Sequence, residues 1–272
     1  MGKVFCIDVA KCSGCYNCQF ACKEEHCTNE WLPFAAKQPM TGQFWLGIEE
    51  HVEGSKPKIK IHYIPVLCNH CEDPACMKAA KNGAVYKRED GLVVIDPEKA
   101  AGQKEIVEAC PYGAVFWNEE LEIPQKCTGC AHLIEEGRVP RCVDVCHTGA
   151  LSFGEESEFA DFIDSASVRI PESGTGPRVY YKNIPGRFIA GTLYDPDEEV
   201  VIRGARCRLT MDDKVWETTT DIFGDFWFRD LPHGKFDLMV EAAGFDNLIF
   251  SGINTEENSI NLGDQPMKRR EA

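Results

Sequence analysis

Twelve of the fifteen cysteines fall into four short blocks between residues 12 and 146, and one of these blocks has lost all but one member. The first block reads C-x2-C-x2-C-x3-C, with Cys12, Cys15, Cys18 and Cys22. The second has Cys68, Cys71 and Cys76, then Ala80 where a fourth cysteine would stand. The third keeps only Cys110; sliding the first run onto it puts Ala100, Gln103 and Ile106 at the other positions. The fourth is Cys127, Cys130, Cys142 and Cys146. Two anchors set the register of the third block. Ile-Asp-x-x-Lys precedes both Cys12 and Ala100, and Gly14 and Gly102 each follow two residues on. Thiols two or three residues apart cannot cross-link distant segments, but one turn of chain wrapped around an inorganic core uses them together. The C-x2-C-x2-C-x3-C run is the ligand pattern of a four-iron, four-sulfur cubane.

A short repeat identifies Ala80 as a vacated ligand position. Gly-Ala-apolar begins three residues after Cys110 (Gly113), after Cys146 (Gly149) and after Ala80 (Gly83). In two-cluster modules the fourth cysteine of each motif ligates the other motif's cluster. Pairing the second block with the third then gives one complete site, Cys68, Cys71, Cys76 and Cys110. It also gives one empty site, Ala80, Ala100, Gln103 and Ile106. All the losses fall on one site. The outer blocks pair the same way: Cys12, Cys15 and Cys18 with Cys146, and Cys127, Cys130 and Cys142 with Cys22. The expected organisation is a ferredoxin-like module at 67–118 inserted into an outer one at 1–66 and 119–170. Three [4Fe–4S] clusters are expected, with a fourth site that binds nothing.

Taken alone, the last block also suits structural zinc; beside the first run, a cubane is the better reading. Cys6, Cys27 and Cys207 are expected as packed thiols. His26, His70, His132 and His147 lie near ligands and are expected beside the metal sites or at the surface. The formal charge of −15 argues against nucleic acid as a partner. No apolar run approaches the roughly 20 residues of a spanning helix. The N-terminus runs straight into motif residues, so a cytoplasmic location is expected, with export alongside a partner left open.

After a linker at 171–184, alternation takes over at 185–272. In GARCRLTM, Ala205, Cys207, Leu209 and Met211 share one face and Arg206, Arg208 and Thr210 the other. The expectation is an antiparallel β-sandwich of about seven strands that resembles transthyretin-like or Cna-B-like domains. The molecule as a whole is expected to be α+β.

The four-block layout, its nesting and the stretch PRVYY at 177–181 resemble the iron–sulfur subunits of molybdopterin oxidoreductases of the dimethyl sulfoxide reductase type. The segment Glu25-His26 with Asn29-Glu30-Trp31, and the added β domain, bring it nearest to members serving transhydroxylases of polyhydroxylated aromatics such as pyrogallol. The resemblance implies an electron-transfer subunit with no catalytic residues of its own. It also implies a large partner carrying a molybdenum bis-pterin guanine dinucleotide (bis-MGD) centre, and no membrane anchor, because the lost site corresponds to the membrane end of the cluster line. Two alternatives remain: a subunit of a reductive catechol dehydroxylase, or a free-standing polyferredoxin.

Overall fold

The computed structural model describes residues 2–270, which form two units. One comprises the sequence up to Glu50 together with His62–Ile184; the other comprises His51–Ile61 together with Pro185 onward.

The first unit repeats one local plan four times. A turn is followed by a helix carrying the third residue of the block, and in three of the four repeats Gly-Ala-apolar then leads into a strand. After β1 (Lys3–Asp8), Cys18 lies on α1 (Asn17–Cys27). The hairpin β2 (Leu46–Ser55) and β3 (Lys58–Leu67) follows. Cys76 lies on α2 (Ala75–Ala79), which leads to β4 (Val85–Lys87) and its partner β5 (Val93–Ile95). Ile106 lies on α3 (Glu105–Glu108), followed by the hairpin β6 (Val115–Asn118) and β7 (Ile123–Lys126). The last repeat has α4 (Ala131–Glu135), then α5 (Arg141–Asp144) bearing Cys142, then β8 (Leu151–Glu155). Helices of four or five residues are far too short to be stable alone, so their third-position side chains must anchor them.

The turns share an unusual backbone. The residue before the second ligand position is left-handed in all four blocks: Gly14 (φ +66°), His70 (+41°), Gly102 (+75°) and Gly129 (+66°). Glycine adopts this region without steric cost; His70 is the exception. The degenerate block thus keeps the cluster-binding turn without its cysteines.

Residues 171–184 are not the plain linker expected from sequence. They contain β9 (Val179–Lys182), which runs parallel to β1 and completes the sheet β8-β1-β9. Val179 and Tyr181 point inward and are fully buried, and the Tyr181 hydroxyl donates to the Pro65 carbonyl at 3.1 Å.

The second unit is all strand: β10 (Arg187–Asp195), β11 (Val200–Val201), β12 (Arg206–Met211), β13 (Lys214–Thr219), β14 (Asp225–Leu231), β15 (Lys235–Glu241), β16 (Leu248–Asn254) and β17 (Ile260–Pro266). One sheet has the order β11-β10-β14, with β17 also pairing β10; the other is β13-β12-β15-β16. Alternate residues of both sheets share one core, including Ile189, Leu193, Cys207, Leu209, Phe226, Phe236, Leu238 and Val240. The alternation read in GARCRLTM holds, with Ala205, Cys207 and Leu209 buried and Arg206 and Arg208 exposed. The strand beyond the expected seven is the two-residue β11, too short to register as a periodic pattern.

Residues 51–61, expected in the metal-binding part, belong to this second unit. Glu53 and Lys58 are buried there: Glu53 pairs with Arg187 and accepts from Ser259, and Lys58 pairs with Asp225 at 2.6 Å. Metal-binding and all-strand regions in separate units make the protein α+β.

Candidate metal centres

All fifteen cysteines are free thiols. The twelve block cysteines sort into three sets by mutual influence. Burial, opposed by the Gly14 amide, raises the Cys12 thiol, and Cys146 and Cys15 raise it further. Burial pushes Cys18 up to about 12, and Cys12, Cys146 and Cys15 add to it. Burial drives Cys22 well above the ordinary thiol range, followed by Cys127, Cys130 and Cys18; Cys142 behaves alike, with Cys130, Cys22 and Cys127 as its nearest thiols. Burial lifts Cys71, which also feels Cys68 and Cys110. Burial lifts Cys76 to about 11, with Cys68, Cys110 and Cys71 adding while Lys126 opposes. These influences are compatible with the pairing expected from sequence, Cys12/Cys15/Cys18/Cys146, Cys22/Cys127/Cys130/Cys142 and Cys68/Cys71/Cys76/Cys110.

Further couplings run between these sets and string them in order. Cys18 acts on the Cys22 and Cys142 thiols of the middle set, and Cys68 acts on Cys127 from the other side. The middle set is wholly buried, whereas Cys15 is exposed in the first set and Cys71 and Cys110 are half-buried in the third. Accessible ends flank a sealed middle.

Do these donors fit iron–sulfur cores? Among the described residues, no three His, Cys, Asp or Glu crowd closely enough to chelate one ion. Zn–S bonds of about 2.3 Å would hold four sulfurs within roughly 4 Å of each other. Thiolates that each bind a different iron of a cube stand farther apart. Burial raises eight of the twelve thiols, Cys12, Cys18, Cys22, Cys71, Cys76, Cys127, Cys130 and Cys142, so gathering these as thiolates needs a cationic core. Backbone amides already face the sulfurs: Gly129 N–H donates to Cys127 Sγ at 3.3 Å and Arg141 N–H to Cys130 Sγ at 3.5 Å. Asn69 and His70, between Cys68 and Cys71, are buried, yet Asn69 Oδ1 and His70 Nε2 have no hydrogen-bond partner among the described residues. The donor set fits the cluster.

The positions read from sequence as a vacated fourth site are packed with protein. Ala100 and Ile106 are fully buried, packed with Ala84, Val85, Ile95 and Val115, and Ala80 lies against them. Gln103 takes over the tethering role. Its Oε1 accepts from Lys81 N–H at 2.8 Å, and its Nε2 donates to the Lys99 carbonyl at 2.7 Å and the Lys81 carbonyl at 3.4 Å. One side chain thus ties the turn before Ala100 to the segment after Ala80. Gly102 N–H, whose counterpart at Gly129 faces a sulfur, instead donates to the Glu122 carbonyl at 2.8 Å.

Of the histidines near ligands, three are buried and His147 is exposed, with Nδ1 4.0 Å from Cys15 Sγ. His26 Nε2 lies 3.8 Å from Cys130 Sγ, and burial lowers its pKa to about 3, with His132 adding to the effect. His132 stacks on Trp31 at 4.1 Å between ring centres, and its Nε2 is 3.1 Å from Glu25. Trp31 Nε1 and Asn29 Nδ2 both donate to the Glu25 carbonyl, which knits the Glu25–Trp31 segment against the middle set. His70 tolerates its left-handed backbone because its Nδ1 accepts from Val93 N–H at 3.1 Å and its ring stacks near Phe5. The other cysteines are packed thiols: Cys6 and Cys27 are buried, and Cys207 is fully so, its thiol pushed by burial to about 12.

Sequence reasoning missed two contributors. Thr175, in the segment read as a linker, hydrogen-bonds Cys71 and joins Tyr112 Oη (2.8 Å) and Ser173 in a run of hydroxyls. Lys126 is buried among the thiols of two sets. Neither belongs to a motif; only the folded protein brings them there.

A model of the 4Fe-4S dicluster domain family matches residues 59–156. The protein is 38% identical over 270 residues to the pyrogallol hydroxytransferase small subunit of Pelobacter acidigallici, covering 94% of this sequence and 96% of that one. It is 35% identical over 191 residues to a tetrathionate reductase subunit of Salmonella typhimurium, covering 67% and 73%. It is also 38% identical over 154 residues to one component of the anaerobic dimethyl sulfoxide reductase of Escherichia coli, covering 57% and 74%.

Proposed function

The chain belongs to the iron–sulfur subunits of molybdopterin oxidoreductases, and from that premise we propose that it carries three [4Fe–4S] clusters for a large catalytic subunit with a molybdenum bis-MGD centre. Such clusters supply one-electron transfer. The observation that carries the count is the fourth site, where Ile106 and Ala100 occupy the space and Gln103 makes the tether. The reaction served is hydroxyl transfer between polyhydroxylated aromatics such as pyrogallol, supported by the pyrogallol hydroxytransferase relative aligned over nearly the whole length. Such a transfer is redox-neutral overall, so the ordered thiolate sets hold electrons in balance with the partner's metal and do not drain them to an outside acceptor. We read residues 67–118 as the inserted module. The second unit is read as a transthyretin-like or Cna-B-like sandwich that helps hold the partner. We place the complex in the cytoplasm and without a membrane anchor, as the resemblance implies; among the described residues no helix is long and apolar enough to cross a membrane.

Anaerobic purification from the native cell tests this. The expected result is a large molybdopterin subunit that copurifies, about twelve irons per copy of this chain, and hydroxyl transfer with no added electron donor. Activity only with a reductant favours a reductive dehydroxylase, in line with the reductase subunits among the relatives. Absence of any large subunit favours a polyferredoxin, and iron near sixteen refutes the empty fourth site.

A further inference from the structure

Lys126 ends β7, whose four residues are all buried, and is itself 2% exposed. Its Nζ donates to the Val93 carbonyl and to the Cys127 carbonyl at 3.0 Å, and it faces the Cys68 thiol. Both hydrogen-bond partners are acceptors, which suits an ammonium head that can only donate. It lines the same cavity as Cys68, Cys71, Cys76 and Cys110. The groups that act on it are Cys68 and Cys76 of the third set and Cys127 of the middle set. An isolated buried charge is costly. The compensation here comes from the Val93 and Cys127 carbonyls, and with metal bound it would come also from the thiolates on both sides.

Resting on the three-cluster reading, we propose that Lys126 is a fixed positive charge placed between the middle and third metal sites, which favours the reduced form of both. Reduction adds negative charge to a site, and a cation in the low-dielectric interior acts on it strongly. Charge and hydrogen bonds near the sulfurs are among the features that set these potentials. The first set, Cys12/Cys15/Cys18/Cys146, lies beyond the middle one and contributes no residue to the cavity that Lys126 lines. The arrangement therefore makes the inner pair the easier place for an electron to rest and leaves the first site apart.

The test is an anaerobic redox titration of the intact complex, followed by electron paramagnetic resonance of each centre, in wild type, Lys126→Gln and Lys126→Arg. Gln removes the charge and keeps an N–H donor one atom shorter, while Arg keeps the charge. In Lys126→Gln, two of the three couples should become harder to reduce by at least tenfold in the one-electron equilibrium, about 59 mV each. The third couple should move less than threefold, and Lys126→Arg should hold all three within threefold of wild type. Unchanged couples in Lys126→Gln at full iron overturn the proposal, as does an equal shift of all three. Should Lys126→Gln lose iron, retention in Lys126→Arg supports a charge role, and loss in both variants overturns it in favour of packing alone. The wild-type iron count and number of couples test the three-cluster reading separately.

Discussion

Gln103→Ala isolates what replaced the lost cluster. The substitution removes two good hydrogen bonds, at 2.8 and 2.7 Å, and a longer one at 3.4 Å. At a net value of about 1 kcal/mol for each good bond, the turn loses about 2 kcal/mol of local stability. Lys81 is exposed, so water satisfies part of what is left, and no larger penalty for stranded groups applies. Because 1.4 kcal/mol is tenfold in an equilibrium constant, local opening should become about thirtyfold more frequent. The assay is amide hydrogen exchange on the anaerobic complex, since the Lys81 amide is held by Gln103 and its exchange reports this opening. Faster exchange at Lys81 is expected, with iron still about twelve per chain. Unchanged protection at Lys81 would show that Gln103 does not fasten the turn. Loss of four irons would show that the site had held metal all along.

Two further outcomes are expected. Cys110→Ala should abolish or convert the centre of Cys68, Cys71 and Cys76, although Cys110 sits in the emptied block; three unchanged spectra would refute the crossed pairing. Cys207, whose thiol burial raises from 9.0 to about 12, keeps its proton in the folded state where the unfolded polypeptide loses it. The folded state then binds more protons between these values. The thiol's contribution to stability is complete below about pH 9 and falls as pH rises toward 12. Chemical denaturation at pH 7 and pH 10 should show the loss, and Cys207→Ala should diminish it; a pH effect undiminished in that variant would refute the assignment.

The cysteine spacing made the metal-binding region legible because each block is local: a turn, a short helix and a strand within about twenty residues. The turn at 100–106 was legible for the same reason, since Ala100, Gln103 and Ile106 keep the register and Gly102 keeps the left-handed backbone. Strand alternation around Cys207 was equally plain. What escaped were contacts between residues distant in sequence. Thr175 reaches Cys71 because the Glu72 and Asp73 amides donate to the Gly176 and Thr175 carbonyls. Lys126 reads as an ordinary lysine at a strand end until β7 is seen to be buried along its whole length. Residues 51–61 look like any polar hairpin tip, and their partners lie far along the sequence.

That hairpin tip has a consequence for how the protein is made. Residues 51–61 leave the ribosome before residues 62–184, and only afterwards does the rest of their unit follow. At about 5–20 residues per second the interval is on the order of ten seconds. Through that time Glu53 lacks Arg187 and Ser259, Lys58 lacks Asp225, and the Gly54 amide lacks Asn258. Every cysteine of the three sets has been synthesised by then. Metal loading therefore has a window before the second unit closes around its early segment, and a polypeptide halted at Ile184 would carry all twelve ligands together with a hairpin whose charges never find their partners.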